Sequence, residues 1–232
     1  MKSIIVTGAS SGIGYATAEV FLKNGWRVGL VARRTDRLNA LAADYHNAVA
    51  LPADVTDAEA MQNAFDTFGH LDVLFNNAGL FGPAGPIDEL SLEGWNEVMQ
   101  VNINGMFISA RLAFAQMRRQ DMGGRIINNG SLSAHVPRPG SVCYTMSKHA
   151  VTGLTRALSL DGRPYNIAGG QIDIGNAESE LVAGLKAANP QMDTMDVVHA
   201  ASSVLHMAQM PAEANVQFMT VMATKMPYIG RG

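Results

Sequence analysis

Short β-branched apolar runs alternate along the chain with longer stretches in which apolar residues recur every three or four positions. Ser3 to Thr7 is the first run; a glycine-rich turn follows, and an amphipathic stretch from Ile13 to Asn24 completes the opening unit. The pattern then predicts strands at Trp26 to Ala32, Ala48 to Leu51, Leu71 to Phe75, Arg125 to Asn129, Ile167 to Ile172 and Val216 to Val221. Between them it predicts helices at Thr35 to Tyr45, Ala58 to Phe68, Leu92 to Arg118 and Val142 to Leu160. Parallel neighbours need crossover helices of fixed hand, so the alternation predicts an α/β fold: a doubly wound parallel sheet of about seven strands with helices on both faces. The irregular stretches are Gly79 to Pro86 and Gly175 to Pro190, both candidates for ligand-facing loops.

The 232 residues suffice for one α/β domain, residues 1–232, and leave no room for a second. Apolar residues make up 47% and charged residues only 16%, which points to surface buried between subunits as well as within one. Seventeen basic against twenty acidic side chains give a net charge of -3 without a basic block, so nucleic acid is not an expected partner. Cys143 is the lone cysteine and the six histidines show no ligand spacing, so neither a disulfide framework nor a metal is expected. The Ile4 to Val6 run is too short for a signal-peptide core, and no stretch approaches the roughly twenty apolar residues of a membrane helix. The expectation is a cytoplasmic protein with no membrane partner.

The glycine-rich turn reads Thr7-Gly8-Ala9-Ser10-Ser11-Gly12-Ile13-Gly14. Between a strand and a helix, glycines let the backbone approach a pyrophosphate at the helix N-terminus, which makes Gly8, Ser10, Ser11, Gly12, Ile13 and Gly14 candidate contacts. The spacing is not the Gly-x-Gly-x-x-Gly fingerprint, and alone it also fits an ordinary strand-to-helix turn. Further on, Tyr144 and Lys148 lie one turn apart on the same face of a predicted helix. A free tyrosine, with a pKa of about 10, is a poor base at neutral pH, whereas a nearby ammonium favours its phenolate. Ser131, after a predicted strand, is placed to donate a hydrogen bond to a substrate oxygen. Taken alone, Tyr-x-x-x-Lys equally fits a packed tyrosine beside a solvated lysine.

Jointly these residues are specific. TGASSGIG, then Asn76-Asn77-Ala78-Gly79 after the fourth strand, then Ser131 thirteen residues before Tyr144 and Lys148, resemble the short single-domain branch of the short-chain dehydrogenase/reductase family. The resemblance implies a Rossmann-like NAD(P)-binding domain, assembled as a homotetramer or homodimer, that acts on a small-molecule carbonyl or alcohol. It implies that Asn77, Ala78 and Gly79 border the adenine ribose and that Asp54 and Val55 lie near the adenine ring. It implies catalytic roles for Asn102, Ser131, Tyr144 and Lys148. Tyr144 would protonate the carbonyl oxygen as hydride reaches the carbon, Ser131 would orient the substrate, and Lys148 would also hold the nicotinamide ribose. Asn102 would support a water joining Lys148 to solvent, or else would be a structural asparagine that bends its helix.

The second strand ends Ala32-Arg33-Arg34, with no carboxylate to accept a ribose 2′-hydroxyl and two cations to pair with a 2′-phosphate. NADP(H) is therefore the expected cofactor, with NAD(H) as the second choice; the alternative is that these arginines merely open an exposed helix together with Arg37. Relatives carry a PGxVxT turn beside the nicotinamide, where this chain reads Gly169-Gly170-Gln171-Ile172-Asp173-Ile174. On that register Gly169 replaces the proline, Ile174 replaces the threonine, Ile172 offers backbone contacts to the carboxamide, and Asn176 is a candidate substitute for the lost hydroxyl. Ser133, His135, Arg138, Phe81 and Asn176 are candidates to face the substrate; Arg138 either binds an anionic group or is a solvated loop cation, the second being favoured. The expected function is that of an NADP(H)-dependent oxidoreductase. A non-catalytic dinucleotide-binding regulator is the alternative, against which the intact Ser131, Tyr144 and Lys148 count.

Overall fold

The computed structural model describes residues 1–120, 122–179, 182, 184, 186 and 191–229. The first strand, β1 (Ser3–Thr7), is buried along its whole length because helices cover both faces. Alternate residues pass to opposite sides, so Ile4 and Val6 join one core and Ile5 the other. The same division separates Val73 and Phe75 from Leu74 in β4 (Val73–Asn76), and Ile127 from Ile126 in β5 (Gly124–Asn129). Two strands, β2 (Arg27–Ala32) and β3 (Ala48–Pro52), extend the sheet to one side of β1. On the other side lie β4, β5, β6 (Ile167–Ile174) and β7 (Phe218–Val221), all parallel. The strand order β3-β2-β1-β4-β5-β6-β7 therefore changes direction between β1 and β4, where the strands' C-terminal ends open a crevice.

One face is covered by α1 (Gly12–Lys23), by α2 (Thr35–Asp44) through Leu38 and Leu41, and by a helix near the C-terminus. The opposite face carries α3 (Ala58–Phe68), α5 (Met106–Arg119) and α6 (Val142–Asp161), with Phe65, Phe68, Ala113 and Met117 in its core. The C-terminal helix, α7 (Val197–Gln209), was not expected from the pattern. Its small apolar face of Ala200, Val204, Met207 and Ala208 packs with Phe21 and Leu22 of α1, and Asp196 caps it by accepting from Val198 N at 2.9 Å. No described helix is long and apolar enough to cross a membrane.

The long helix expected over Leu92 to Arg118 is not uniform. It comprises α4 (Leu92–Met99), a π-helical turn at Gln100–Gly105, and α5. The widened turn brings Gly105 against the loop after β3, where any side chain on Gly105 would lie 2.7 Å from Val55 Cγ2. β6 also runs two residues further than the sequence pattern implies, to Ile174.

A chain of buried polar side chains stitches the sheet to α6. Asn76 Nδ2 donates to the Met106 carbonyl at 2.8 Å and to Asn128 Oδ1 at 3.2 Å, and Asn128 Nδ2 donates to Thr155 Oγ1 at 2.9 Å. Thr155 Oγ1 in turn reaches Gln171 Oε1 at 3.2 Å, and Gln171 Nε2 donates to Thr152 Oγ1 at 3.0 Å. Removing one member strands its neighbours without water, which costs more than the bond itself contributes. Thr155→Val, nearly unchanged in shape, is expected to lower the unfolding free energy by about 1–3 kcal/mol in urea denaturation. A loss below about 0.5 kcal/mol would show that this network carries no weight.

Candidate active site

The turn between β1 and α1 is shaped for close approach. Gly8 has a φ of 70°, and a side chain on Gly14 would overlap the Gly8 carbonyl and sit 2.7 Å from Asn77 Nδ2. Thr7 Oγ1 accepts from the backbone N–H groups of Asn77 at 2.8 Å and Ala78 at 3.0 Å, while Asn77 Nδ2 donates to the Thr7 carbonyl at 2.9 Å. Asn129 Nδ2 completes the rim by donating to Asn77 Oδ1 at 2.8 Å, so the ends of β1, β4 and β5 are tied together.

Ser11 stands at the N-cap of α1 yet makes no capping bond, and the first turn holds no acidic residue. Its hydroxyl accepts instead from Arg34 Nη2 at 2.6 Å, and Ser10 Oγ accepts from Arg34 Nε at 3.0 Å. α3, α4 and α7 are all capped, by Asp57, Ser91 and Asp196. Backbone N–H groups and the positive end of α1 are thus left facing the crevice, which fits a dinucleotide pyrophosphate. Arg33 is exposed and faces Asp54 Oδ2 at 3.8 Å, a loose pairing that a 2′-phosphate could displace. Partial burial opposes charge on Asp54, but bonds from Thr56 N and Oγ1 and the nearby Arg33 outweigh it, holding the carboxyl below its ordinary range.

A cleft of about 610 Å³ starts at this end, walled by Gly8, Ser10, Ser11, Gly12, Ile13, Arg33 and Arg34. It continues past Asp54, Val55, Asn77, Ala78 and Gly79 to Ser131, Tyr144 and Lys148. Gly14 lies beneath the turn instead of in the wall.

At the far end, Asp173 organises the polar groups. Its carboxylate is 1% exposed; Oδ1 accepts from Ser131 N at 2.8 Å and Gln171 Nε2 at 2.7 Å, and Oδ2 lies 2.9 Å from His135 Nε2. Ser131 Oγ accepts from Ser133 N at 3.1 Å at the start of a short 3-10 turn, which fixes the serine at the end of β5. Lys148 is 3% exposed and donates to the Asn129 carbonyl at 2.8 Å, its ammonium 5.4 Å from the Tyr144 ring centre. Burial pulls the lysine down to a pKa of about 8, against the opposing pull of Asp173. Burial pushes the Tyr144 phenol above its ordinary value and Asp173 adds to the rise, while the Ser131 hydroxyl and the charge of Arg138 draw it back. Arg138 thus joins Lys148, whose ammonium lies beside the ring, as a cation near the phenol.

Asn102 is fully buried in the π-helical turn, where its side chain bonds the backbone N–H and carbonyl of Leu80 and Ser147 Oγ, at 2.9, 2.9 and 3.0 Å. Its side chain braces the loop after β4 against α6. Ile172 is fully buried in the core and does not line the cleft, and Gly169 lies mid-strand against α6. The border opposite Tyr144 comes later, from Ile174, Gly175, Asn176, Ala177 and Ser179. Gly175 and Ser179 therefore occupy the glycine and threonine positions of the PGxVxT turn, with Ile174 at the proline. Asn176 lines this border, and its side-chain Nδ2 donates to the Asp193 carbonyl at 3.1 Å. The signal that would have set the register is Asp173, a carboxylate inside an apolar strand, which needs buried partners.

The family model for short chain dehydrogenase matches residues 2–190. The chain is 37% identical over 163 residues to an uncharacterised oxidoreductase of Staphylococcus saprophyticus, a match covering 68% of this chain and 65% of that protein. It is 33% identical over 230 residues to an uncharacterised oxidoreductase of Thermotoga maritima, covering 96% of this chain and 89% of that one. In fold it is similar to the closed form of a serine dehydrogenase complexed with NADP+, with a TM-score of 0.93, 23% identity, and coverage of 99% and 98% of the two chains.

A lysine held near a pKa of 8 against 10.5 unfolded is a charge kept at a cost to stability. Because the folded pKa is the lower one, wild-type stability gains from this group as pH rises from about 8 to 10.5, and below that window the whole cost is present. Lys148→Met is expected to raise stability at pH 7 by about 2 kcal/mol, a gap that narrows toward pH 10 in thermal denaturation. A destabilised variant with a pH-independent difference would contradict this.

Proposed function

This chain belongs to the short-chain dehydrogenase family, oxidoreductases of alcohol and carbonyl groups, and from that premise we propose that it moves hydride between NADP(H) and a small carbonyl or alcohol, with Tyr144 transferring the proton. One observation carries the reading. A single cleft joins an uncapped helix N-terminus flanked by Arg33 and Arg34 to a far end where Ser131, Tyr144 and Lys148 converge.

A nicotinamide bound between those ends would supply hydride to the substrate carbon in reduction and accept it in oxidation. The protein's own groups act on the oxygen. Tyr144 Oη gives its proton to the carbonyl oxygen as the carbon is reduced, and takes one from the hydroxyl in the reverse direction. A phenol whose pKa is raised by burial is fully protonated at neutral pH, the form that reduction needs. Ser131 Oγ donates to the same oxygen and holds the carbonyl in line. Lys148, mostly protonated at pH 7, offsets the negative charge left on Tyr144. At the opposite end Arg33 offers a planar fork to a 2′-phosphate while Arg34 fixes the serines of the turn, which favours NADP(H) and leaves NAD(H) as the weaker ligand.

Phe107 of α5 and Met146 and Leu160 of α6 are each at least half exposed, an apolar surface that suits packing against further copies. A homodimer or homotetramer built on these helices follows, and light scattering that finds only monomer at micromolar concentration would remove it.

Tyr144→Phe is expected to keep NADPH affinity, read by fluorescence titration, while kcat falls by about 10²–10⁴-fold; a variant that turns over normally would overturn the mechanism. Arg33→Ala is expected to narrow the preference for NADPH over NADH by about 10- to 100-fold, and an unchanged preference would remove Arg33 from the phosphate site.

A further inference from the structure

The reacting end of the cleft holds a cation that the hydride-transfer chemistry does not use. Arg138 lines the cleft with Phe81 and Tyr144, its guanidinium 5.9 Å from the Phe81 ring centre, and that ring meets the Tyr144 ring edge-on at 4.7 Å. It stands near enough to the phenol to favour the phenolate. Among the described residues no carboxylate lies within ion-pair distance of it. Among the described residues the one acid in the cleft wall, Asp54, is at the adenine end beside Arg33, and Asp173 is already committed to Ser131, Gln171 and His135.

The backbone beneath Arg138 is built to hold it in place. The segment reads Pro137-Arg138-Pro139-Gly140, so the preceding ring stiffens the approach and the following proline confines Arg138 to extended conformations. Ser141 Oγ donates to the Arg138 carbonyl at 2.7 Å, and Gly85 N donates to the Gly140 carbonyl at 3.1 Å, tying this segment to the loop that carries Phe81. A half-buried guanidinium on a stiffened segment, with no counter-charge among the described residues, is arranged to receive an anion from outside. The cofactor does not supply that anion, because its phosphates are drawn to α1 and to Arg33 and Arg34 at the other end.

We propose that the substrate carries a carboxylate, that Arg138 receives it, and that the protein interconverts a short oxo acid and the corresponding hydroxy acid; this rests on the hydride-transfer reading of the same site. With the carboxylate on Arg138 and the carbonyl oxygen between Tyr144 and Ser131, two anchors fix which face of the carbonyl carbon meets the nicotinamide. Two electrons and one proton pass as hydride from NADPH to that carbon. A second proton passes from Tyr144 to the oxygen, giving the hydroxy acid and NADP+.

The test pairs short 2-oxo and 3-oxo acids of three to six carbons with their methyl esters, using NADPH and the full chain. The acid is expected to exceed its ester in kcat/KM by at least about 10-fold, mostly through KM, and Arg138→Ala should cut that acid-to-ester ratio by about 10- to 100-fold, with Arg138→Lys restoring part of it. A wild type that prefers the esters, or an Arg138→Ala variant that slows acids and esters equally, would overturn the proposal, the second outcome leaving Arg138 only a modifier of Tyr144. Binding is read separately by calorimetry on the Tyr144→Phe protein with NADPH, which needs no turnover. Acids that bind there no tighter than esters overturn the carboxylate assignment, whereas acids that bind through Arg138 without ever being reduced by wild type would sustain it and overturn the hydride-transfer reading.

Discussion

The reacting end of this protein depends on one buried carboxylate. Asp173 sits in β6 with almost no contact with water, and an unpaired charge there would cost several kcal/mol. The cost is offset because both oxygens are filled: Ser131 N and Gln171 Nε2 on one, His135 on the other. Through the first bond the carboxylate sets the backbone of Ser131, which lines the cleft. Through Gln171 it joins the polar chain of Thr152, Thr155, Asn128 and Asn76, which runs across three strands and α6. Its charge also favours the ammonium of Lys148, which burial would otherwise discharge further. A fold whose two cores are mainly apolar therefore carries one polar seam, and the seam ends at Ser131 in the cleft wall.

The two ends of the cleft solve different electrostatic problems. At the α1 end the helix is left uncapped, because Arg34 takes the hydroxyls of Ser10 and Ser11 that would otherwise serve the turn. That leaves N–H dipoles and arginines for phosphates. At the other end Lys148 is buried and Arg138 is half-exposed, and Tyr144 lies between their influences. Among the described residues the cleft wall holds Asp54 as its one acid against Arg33, Arg34, Arg138 and Lys148, a balance that suits a polyanionic cofactor.

Much of this was legible in the sequence because it is local. The strands announce themselves as β-branched runs buried on both faces, and Ser131, Tyr144 and Lys148 are fixed by short intervals along two adjoining elements. Three features were not legible, each for a physical reason. α7 has a face of alanines, Val204 and Met207, too weakly apolar to stand out until it meets Phe21 and Leu22 of α1. The π-helical turn leaves no trace in apolar periodicity; it coincides with the Asn102 side chain reaching Leu80 and Ser147 from inside the helix. The register of the turn after β6 depends on where the strand ends, and the glycines at 169 and 170 imitate a turn while lying mid-strand, where close packing against α6 and the segment before β7 excludes larger side chains. Arg138 illustrates the same limit: its proline neighbours are visible in sequence, but its place in the cleft beside Phe81 and Tyr144 is a property of the assembled fold.

The central claim is that one cleft brings the C4 carbon of a nicotinamide to a carbonyl held by Tyr144 and Ser131. Mass spectrometry of the alcohol formed with stereospecifically deuterated [4-²H]NADPH tests it directly. Deuterium retained at the carbinol carbon, from one C4 face of the cofactor only, is the predicted result. NADPH oxidation that leaves the carbinol carbon unlabelled with both C4 epimers would contradict it.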